Sequence, residues 1–115
     1  MADECIFCKI ARKEIPVEIL IETEHAVVFQ DINPVAPVHY LVIPKVHLPT
    51  MNSVGEDERV VLGDVCYAAA LAAAKLGVAE SGYRLAVNTN KDALQTVYHI
   101  HFHLLAGRKF VWPPG

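Results

Sequence analysis

Tyr98-His99-Ile100-His101-Phe102-His103-Leu104 is the stretch on which the reading turns. Side chains of a β-strand alternate between its two faces. A strand here puts His99, His101 and His103 on one face and Ile100, Phe102 and Leu104 on the other. The apolar face can pack on a core. The opposite face is a row of imidazoles, groups that act as nucleophile, acid, base or metal ligand near neutral pH. If the strand is regular, the Cα atoms of His99 and His103 lie about 13 Å apart, at about 3.3 Å per residue. Three nearly collinear ligands suit a tetrahedral zinc ion poorly. The three rings are therefore expected to do different jobs.

Working outward, the 115 residues are expected to form one domain, residues 1–115, with hydrophobic content of 53% pointing to a globular core. Ten basic against thirteen acidic residues give a net charge of −3. No Lys/Arg cluster interleaves with aromatics, so no nucleic-acid partner is expected. The acidic start Met1-Ala2-Asp3-Glu4 has no apolar signal core, and the apolar run Val65–Ala74 is too short for a bilayer. The expectation is a cytoplasmic protein with no membrane partner. Three cysteines, two of them at Cys5 and Cys8, argue for thiols or a metal rather than disulfides.

The remaining elements follow from local pattern. Cys5 to Arg12 reads as a short helix with Ile6, Phe7 and Ile10 as its apolar stripe, stopped by Pro16. Ile19–Glu22, Ala26–Asp31 and His39–Pro44 read as strands. Ser53-Val54-Gly55-Glu56 has the form of a capping box opening a long helix, roughly Glu56 to Leu76, closed by Gly77 in a left-handed C-cap. Tyr83–Thr89 and Val97–Ala106 complete five strands. The order indicates an α+β fold: a five-stranded antiparallel sheet with one long helix and a short N-terminal helix.

Cys5-Ile6-Phe7-Cys8 supplies half of a tetrahedral zinc shell, and His47 and His99 are the candidates to finish it. The alternative is a pair of unligated thiols. Cys66, among apolar residues in mid-helix, reads as a buried inert thiol. His25 reads as a solvated turn residue. Asp31 is either a carboxylate for a ribose diol or a cap for the Asn33-Pro34 turn. Asn88 and Thr96 could serve phosphate oxygens or satisfy loop backbone.

Taken together these pieces resemble the histidine triad (HIT) family, in its nucleotide-binding phosphoramidase branch. The likeness rests on Cys5-Ile6-Phe7-Cys8-Lys9-Ile10, Phe29-Gln30-Asp31-Ile32-Asn33-Pro34, His39-Tyr40-Leu41-Val42-Ile43-Pro44-Lys45-Val46-His47, Tyr83-Arg84-Leu85-Ala86-Val87-Asn88, the histidine row and Trp112-Pro113-Pro114-Gly115. The resemblance implies a homodimer whose sheets join into one, with Trp112 of the tail near the partner's active site. It implies a pocket for a purine nucleoside monophosphate or its phosphoramidate, and hydrolysis of adenosine-type 5′-phosphoramidates through a nucleotidyl-histidine. His101 then corresponds to the nucleophile, and His103 and His39 to its proton-handling partners. Asp31 corresponds to the ribose carboxylate, and Ile6, Phe7, Ile10, Phe29, Ile32 and Leu41 to the base pocket. Asn88 and Thr96 correspond to phosphate contacts, Gln95 is carried as a further nucleotide contact, and His101 and His103 also face the nucleotide. Zinc-containing relatives place a structural ion at the positions of Cys5, Cys8, His47 and His99.

One departure stands out. The family carries a Gly-rich turn before Gln95-Thr96, where this chain reads Asp92-Ala93-Leu94. Glycine permits positive φ and close backbone approach, and leucine does so only at a cost. Two alternatives to phosphoramidate hydrolysis follow: a non-catalytic nucleotide-binding or regulatory protein on this scaffold, and a metal-dependent hydrolase that uses the histidine row as ligands.

Overall fold

A computed structural model of the chain describes residues 4–115. The reading of Met1-Ala2-Asp3 lies outside the described residues. Strands β1 (Ile19–Glu22), β2 (Ala26–Gln30), β3 (Val38–Pro44), β4 (Tyr83–Val87) and β5 (Phe102–Ala106) form one antiparallel sheet in the order β1-β2-β3-β5-β4. Helices α1 (Ile6–Ala11) and α2 (Arg59–Lys75) complete the fold. This is the α+β architecture expected from the pattern.

The sheet is covered on both faces, which explains why β2 reads as a continuous apolar run rather than an alternating one. Ala26, Val28, Val42, Ile100, Phe102 and Leu104 pack with Val65, Ala68, Ala69 and Ala72 of α2. The alanines let the helix backbone approach the sheet closely. On the other face Val27, Phe29, Leu41 and Ile43 pack with Phe7 and Ile10 of α1. Among the described residues no helix is long and apolar enough to cross a membrane.

Several boundaries differ from expectation, each for a local reason. The helix α1 stops before Pro16 because Lys13 turns left-handed at φ 62. Its N–H bonds the Ile10 carbonyl at 3.0 Å while the Glu14 N–H reaches back to Lys9 at 2.8 Å. The expected Ser53 box gives way to two tight turns. The Ser53 hydroxyl instead accepts from the Thr50 N–H at 3.3 Å, and Glu58 Oε1 accepts from the Gly55 N–H at 2.7 Å. Consequently α2 starts at Arg59 rather than Glu56. Its end is as expected: Gly77 sits at φ +74 and the Val78 N–H bonds the Ala73 carbonyl at 3.0 Å. Cys66 is exposed, not buried. The buried positions of α2 are 65, 68, 69, 72 and 73, and at about 100° per residue position 66 lies about 90° round the helix from their mean direction, at the edge of the stripe.

The strand expected over Val97–Ala106 begins only at Phe102, where Val42 and Val87 flank it. Upstream, the Ile100 N–H leaves the ladder and donates to the Leu48 carbonyl at 2.8 Å. The two-residue alternation nevertheless continues through this irregular stretch. Ile100, Phe102 and Leu104 enter the α2-side core, while the rings of His99 and His101 meet Phe7 on the α1 side.

Candidate active site

The outer two imidazoles of the row fall in two separate clusters, with the third between them. His99 lies fully buried with Cys5, Cys8 and His47. His103 lies with His39 and Asp31. His101 stands between them, its ring 5.1 Å from that of His103 and 5.2 Å from that of Phe7.

Hydrogen bonds to the main chain fix which ring nitrogens carry protons. A carbonyl only accepts, so His101 Nδ1 donates to the His99 carbonyl at 2.9 Å. In the neutral ring this leaves the lone pair on Nε2. A backbone N–H only donates, so His39 Nδ1 accepts from Val35 at 3.1 Å. Nε2 is then the N–H of neutral His39. It faces His103 Nδ1 at 2.9 Å and Asp31 Oδ2 at 3.3 Å. His103 Nδ1 is therefore an acceptor and its Nε2 the donor. The result is a directed chain, Val35 to His39 to His103, with Asp31 beside its middle member.

Burial sets the charge of this chain. His39 is pushed below the ordinary histidine range by desolvation, against the opposing pull of the Asp31 carboxylate. His103 is lowered to about 4, mainly by burial and then by repulsion from His101 and His39. Both rings are neutral at pH 7. Asp31 has two roles at once: besides facing His39, its Oδ1 accepts from the Asn33 N–H at 2.8 Å. The turn-cap reading thus holds alongside its place at the site.

A cavity of ≈ 430 Å³ opens beside these rings. Of the residues expected there, Ile6, Phe7, Ile10, Phe29, Asp31, Ile32, Leu41, Thr96, His101 and His103 line it. Asn88 and Gln95 do not. The Gln95 amide is turned into its own loop: it accepts from the Asn90 N–H at 2.9 Å and donates to the Pro49 and Val97 carbonyls at 2.8 and 3.0 Å. Its side chain fastens the loop that presents Thr96. Leu94 takes the left-handed conformation at φ 63, ψ 42, so the loop keeps a geometry that suits glycine.

Sequence reasoning missed Ile15, Val17, Gln30, Asn33 and Val97 in the lining. Ile15 and Val17 were detectable in principle, as apolar residues flanking Pro16 that serve no helix or strand. Gln30 and Asn33 flank the Asp31-Ile32 pair and carry no distinguishing signal.

The second cluster fits a metal ion. Cys5 Sγ lies 3.3 Å and Cys8 Sγ 3.5 Å from His99 Nδ1, Cys8 Sγ lies 3.3 Å from His47 Nδ1, and the two Nδ1 atoms are 3.3 Å apart. A tetrahedral zinc shell with bonds of about 2.3 Å to sulfur and about 2.0–2.1 Å to nitrogen has N–N and S–N edges of about 3.3–3.6 Å. His99 Nε2 donates to the Pro44 carbonyl at 2.8 Å, which leaves the Nδ1 lone pair facing the cluster. Burial holds this imidazole near pKa 4, so it is a neutral donor.

The tail is folded back on the sheet: Phe110 lies against the Arg84 and Arg108 guanidinium groups, and Arg84 Nη2 donates to the Val111 carbonyl at 3.1 Å. Trp112 beyond it is exposed.

Comparison with known proteins follows the same lines. The HIT domain matches residues 12–110. The purine nucleoside phosphoramidase of Escherichia coli (strain K12) is 48% identical over 108 residues, covering 94% of this chain and 91% of that protein. An uncharacterized HIT-like protein of Synechocystis is 44% identical over 115 residues, the full length of both. The crystal structure of a HIT family hydrolase from Legionella pneumophila superposes with a TM-score of 0.92 at 46% identity, over 97% of this chain and 100% of that one.

Proposed function

The chain belongs to the HIT domain family, and from that premise we propose that it is a purine nucleotide-binding hydrolase that cleaves nucleoside 5′-phosphoramidates of the adenosine type through a nucleotidyl-histidine intermediate. The similarity to a purine nucleoside phosphoramidase supports the substrate class. The observation that carries the mechanism is the His101 Nδ1 bond to the His99 carbonyl, which in the neutral tautomer keeps the lone pair on Nε2 of a ring that lines the cavity.

In this reading His101 Nε2 attacks the α-phosphorus, the P–N bond of the phosphoramidate breaks, and the amine leaves with a proton. Water then attacks the nucleotidyl-histidine, returns a proton to His103 as the P–O bond forms, releases the nucleoside monophosphate and leaves the electron pair of the broken P–N bond on Nε2. Forming the covalent intermediate divides one hard displacement into two easier ones. The proton for the amine comes through His103, whose Nδ1 is backed by the His39 N–H. These two rings are neutral in the free protein. An anionic phosphate alongside raises an imidazole's proton affinity, so substrate binding itself charges the relay. Ile6, Phe7, Ile10, Phe29, Ile32 and Leu41 take the base, Asp31 the ribose diol, and Thr96 a phosphate oxygen.

The metal-hydrolase alternative puts its ion on the histidine row, but His99 and His103 belong to different clusters. Of the row only His103 joins, among the described residues, a further group that could hold a metal, with Asp31 and His39, whose donor atoms lie within 4.8 Å of one another. Against it stands the Val35 N–H, which occupies the His39 Nδ1 lone pair and leaves the proton on Nε2, the atom such a metal would need. The non-catalytic reading drew on Leu94, and the loop accommodates Leu94 with Thr96 still on the cavity.

Zinc on Cys5, Cys8, His47 and His99 would have four protein ligands and no open position, and would be structural. In this reading a homodimer with a continuous sheet would pair at the open edge of β4, and Trp112, which is exposed, would reach the partner's site. Light scattering at the mass of two chains is the expected result. Reduced thiols at Cys5, Cys8 and Cys66 accord with a cytoplasmic setting.

The function is tested by incubating the protein with adenosine 5′-phosphoramidate and following the phosphorus resonance. The expected result is conversion to AMP and ammonia, abolished in His101→Ala. Unchanged substrate, or equal turnover in the variant, contradicts it.

A further inference from the structure

We infer that the Cys5, Cys8, His47 and His99 cluster is a latch on the nucleotide cavity, so that a metal ion held there sets how tightly the cavity grips its ligand. The inference rests on the nucleotide reading above and on the fit of the cluster to zinc.

Two connections run from the cluster to the cavity. The first is through α1. Cys5 caps this helix and Cys8 lies within it, and each sulfur meets a ring from elsewhere in the fold: Cys5 against His99, and Cys8 against His47. Ile6 and Phe7 lie between the two cysteines, Ile10 is one turn further on, and all three line the cavity. A six-residue helix does not hold its own conformation in water. It depends on what anchors it. Phe7 and Ile10 anchor it by packing, and the cluster fixes its first turn. Ile6 is half exposed and has no such packing. A metal that ties both sulfurs to two rings on the sheet side therefore fixes the wall against which a base would rest.

The second connection is through His99. Its ring is a member of the cluster and its Nε2 is bonded to Pro44, while its own carbonyl receives the His101 Nδ1 proton. Phe7 joins the two connections, with ring centroids 5.9 Å from His99 and 5.2 Å from His101. His99 is thus a positioning residue: fixing its ring fixes the carbonyl that orients His101.

Coupling between two binding sites is reciprocal. If metal tightens nucleotide binding, nucleotide must tighten metal binding by the same factor. A metal that only stabilises the fold would leave that quantity unchanged as long as the metal-free chain stays folded. The experiment titrates zinc-loaded and zinc-stripped protein with AMP by calorimetry. It then measures the apparent zinc affinity of the loaded protein against a chromogenic chelator, with and without saturating AMP. The expected result is AMP affinity about tenfold weaker without zinc, within the roughly 5- to 150-fold span of ordinary coupling, and zinc affinity raised by the same factor when AMP is bound. His47→Gln, which alters a residue of the cluster that does not line the cavity, is expected to weaken AMP binding in the same direction. If stripping the metal unfolds the chain, AMP raises zinc affinity through folding alone, and the AMP titration of zinc-loaded parent against His47→Gln that is folded by circular dichroism decides instead. Zinc affinity indifferent to AMP, or a protein that takes no zinc, overturns the latch and leaves the nucleotide reading standing. A zinc-loaded protein that binds no AMP overturns both.

Discussion

Replacing Leu94 with glycine is expected to stabilise the protein. Leu94 sits at φ 63, ψ 42, held there by its own N–H on the Lys91 carbonyl at 3.0 Å and by the Gln95 N–H on the Asn90 carbonyl at 3.1 Å. The left-handed region costs a residue with a Cβ about 1–2 kcal/mol. Glycine removes that cost but loosens the unfolded chain, which returns about 0.4–1 kcal/mol. Leu94 is 78% exposed, so truncating its side chain forfeits little burial. The net gain is about 0.5–1 kcal/mol, or roughly 2–5 °C in Tm for a domain of this size. Urea denaturation at pH 7 measures it, with an unchanged slope certifying that the same surface is exposed. Leu94→Ala keeps the Cβ and is expected to gain nothing. A Leu94→Gly midpoint at or below that of the parent, or an alanine variant equal to the glycine one, refutes the strain argument.

Three further outcomes are expected. Acidification should destabilise the fold through His103, whose folded pKa of about 4 lies below the unfolded value of about 6.5. The unfolded chain therefore binds the proton first, stability is full above about pH 6.5, and it declines by up to about 3 kcal/mol as pH falls toward 4. Urea midpoints across that range should fall less steeply in His103→Gln, the remaining slope belonging to His99 and His39, and an equal slope in parent and variant would remove His103 from the account. Gln95→Met leaves the Asn90 N–H and the Pro49 and Val97 carbonyls without their partner, which should cost about 2–3 kcal/mol in thermal or urea unfolding; a change under about 0.5 kcal/mol would mean that water replaces the amide. His103→Ala should lower kcat on adenosine 5′-phosphoramidate by about 10²–10⁴ while AMP still binds, and a variant with unchanged kcat would remove His103 from the proton path.

The sheet was legible because its strands carry their own punctuation. Pro44 closes β3, and Gly77 stops α2 by the left-handed turn it adopts. Alternation placed His99, His101 and His103 on one side even where the ladder itself is missing, because side-chain direction depends on an extended backbone more than on pairing. The extended spacing of the row also separates its ends, and His99 and His103 fall in different clusters. What escaped was set by contacts distant in sequence. Lys13 ends α1 with a left-handed turn that no lysine signals. Gln95 faces inward because Pro49 and Val97 present carbonyls to it. The helix α2 starts late because Thr50, Ser53 and Glu58 choose partners different from those the Ser53-Val54-Gly55-Glu56 pattern suggested. Cys66 was misplaced because an apolar neighbourhood along the chain does not say which side of a helix meets the sheet. The tautomers of His39 and His101, on which the chemistry depends, are fixed by main-chain groups and leave no mark on residue type.

The most direct test of the central claim is rapid quench of the protein with adenosine 5′-phosphoramidate labelled at phosphorus, followed by digestion and mass spectrometry of the peptide containing His99, His101 and His103. The account predicts a nucleotidyl group, stable in base and labile in acid, carried on His101 at early times and absent from His101→Ala. Turnover with no label on the protein, or label that persists when His101 is replaced, would contradict it.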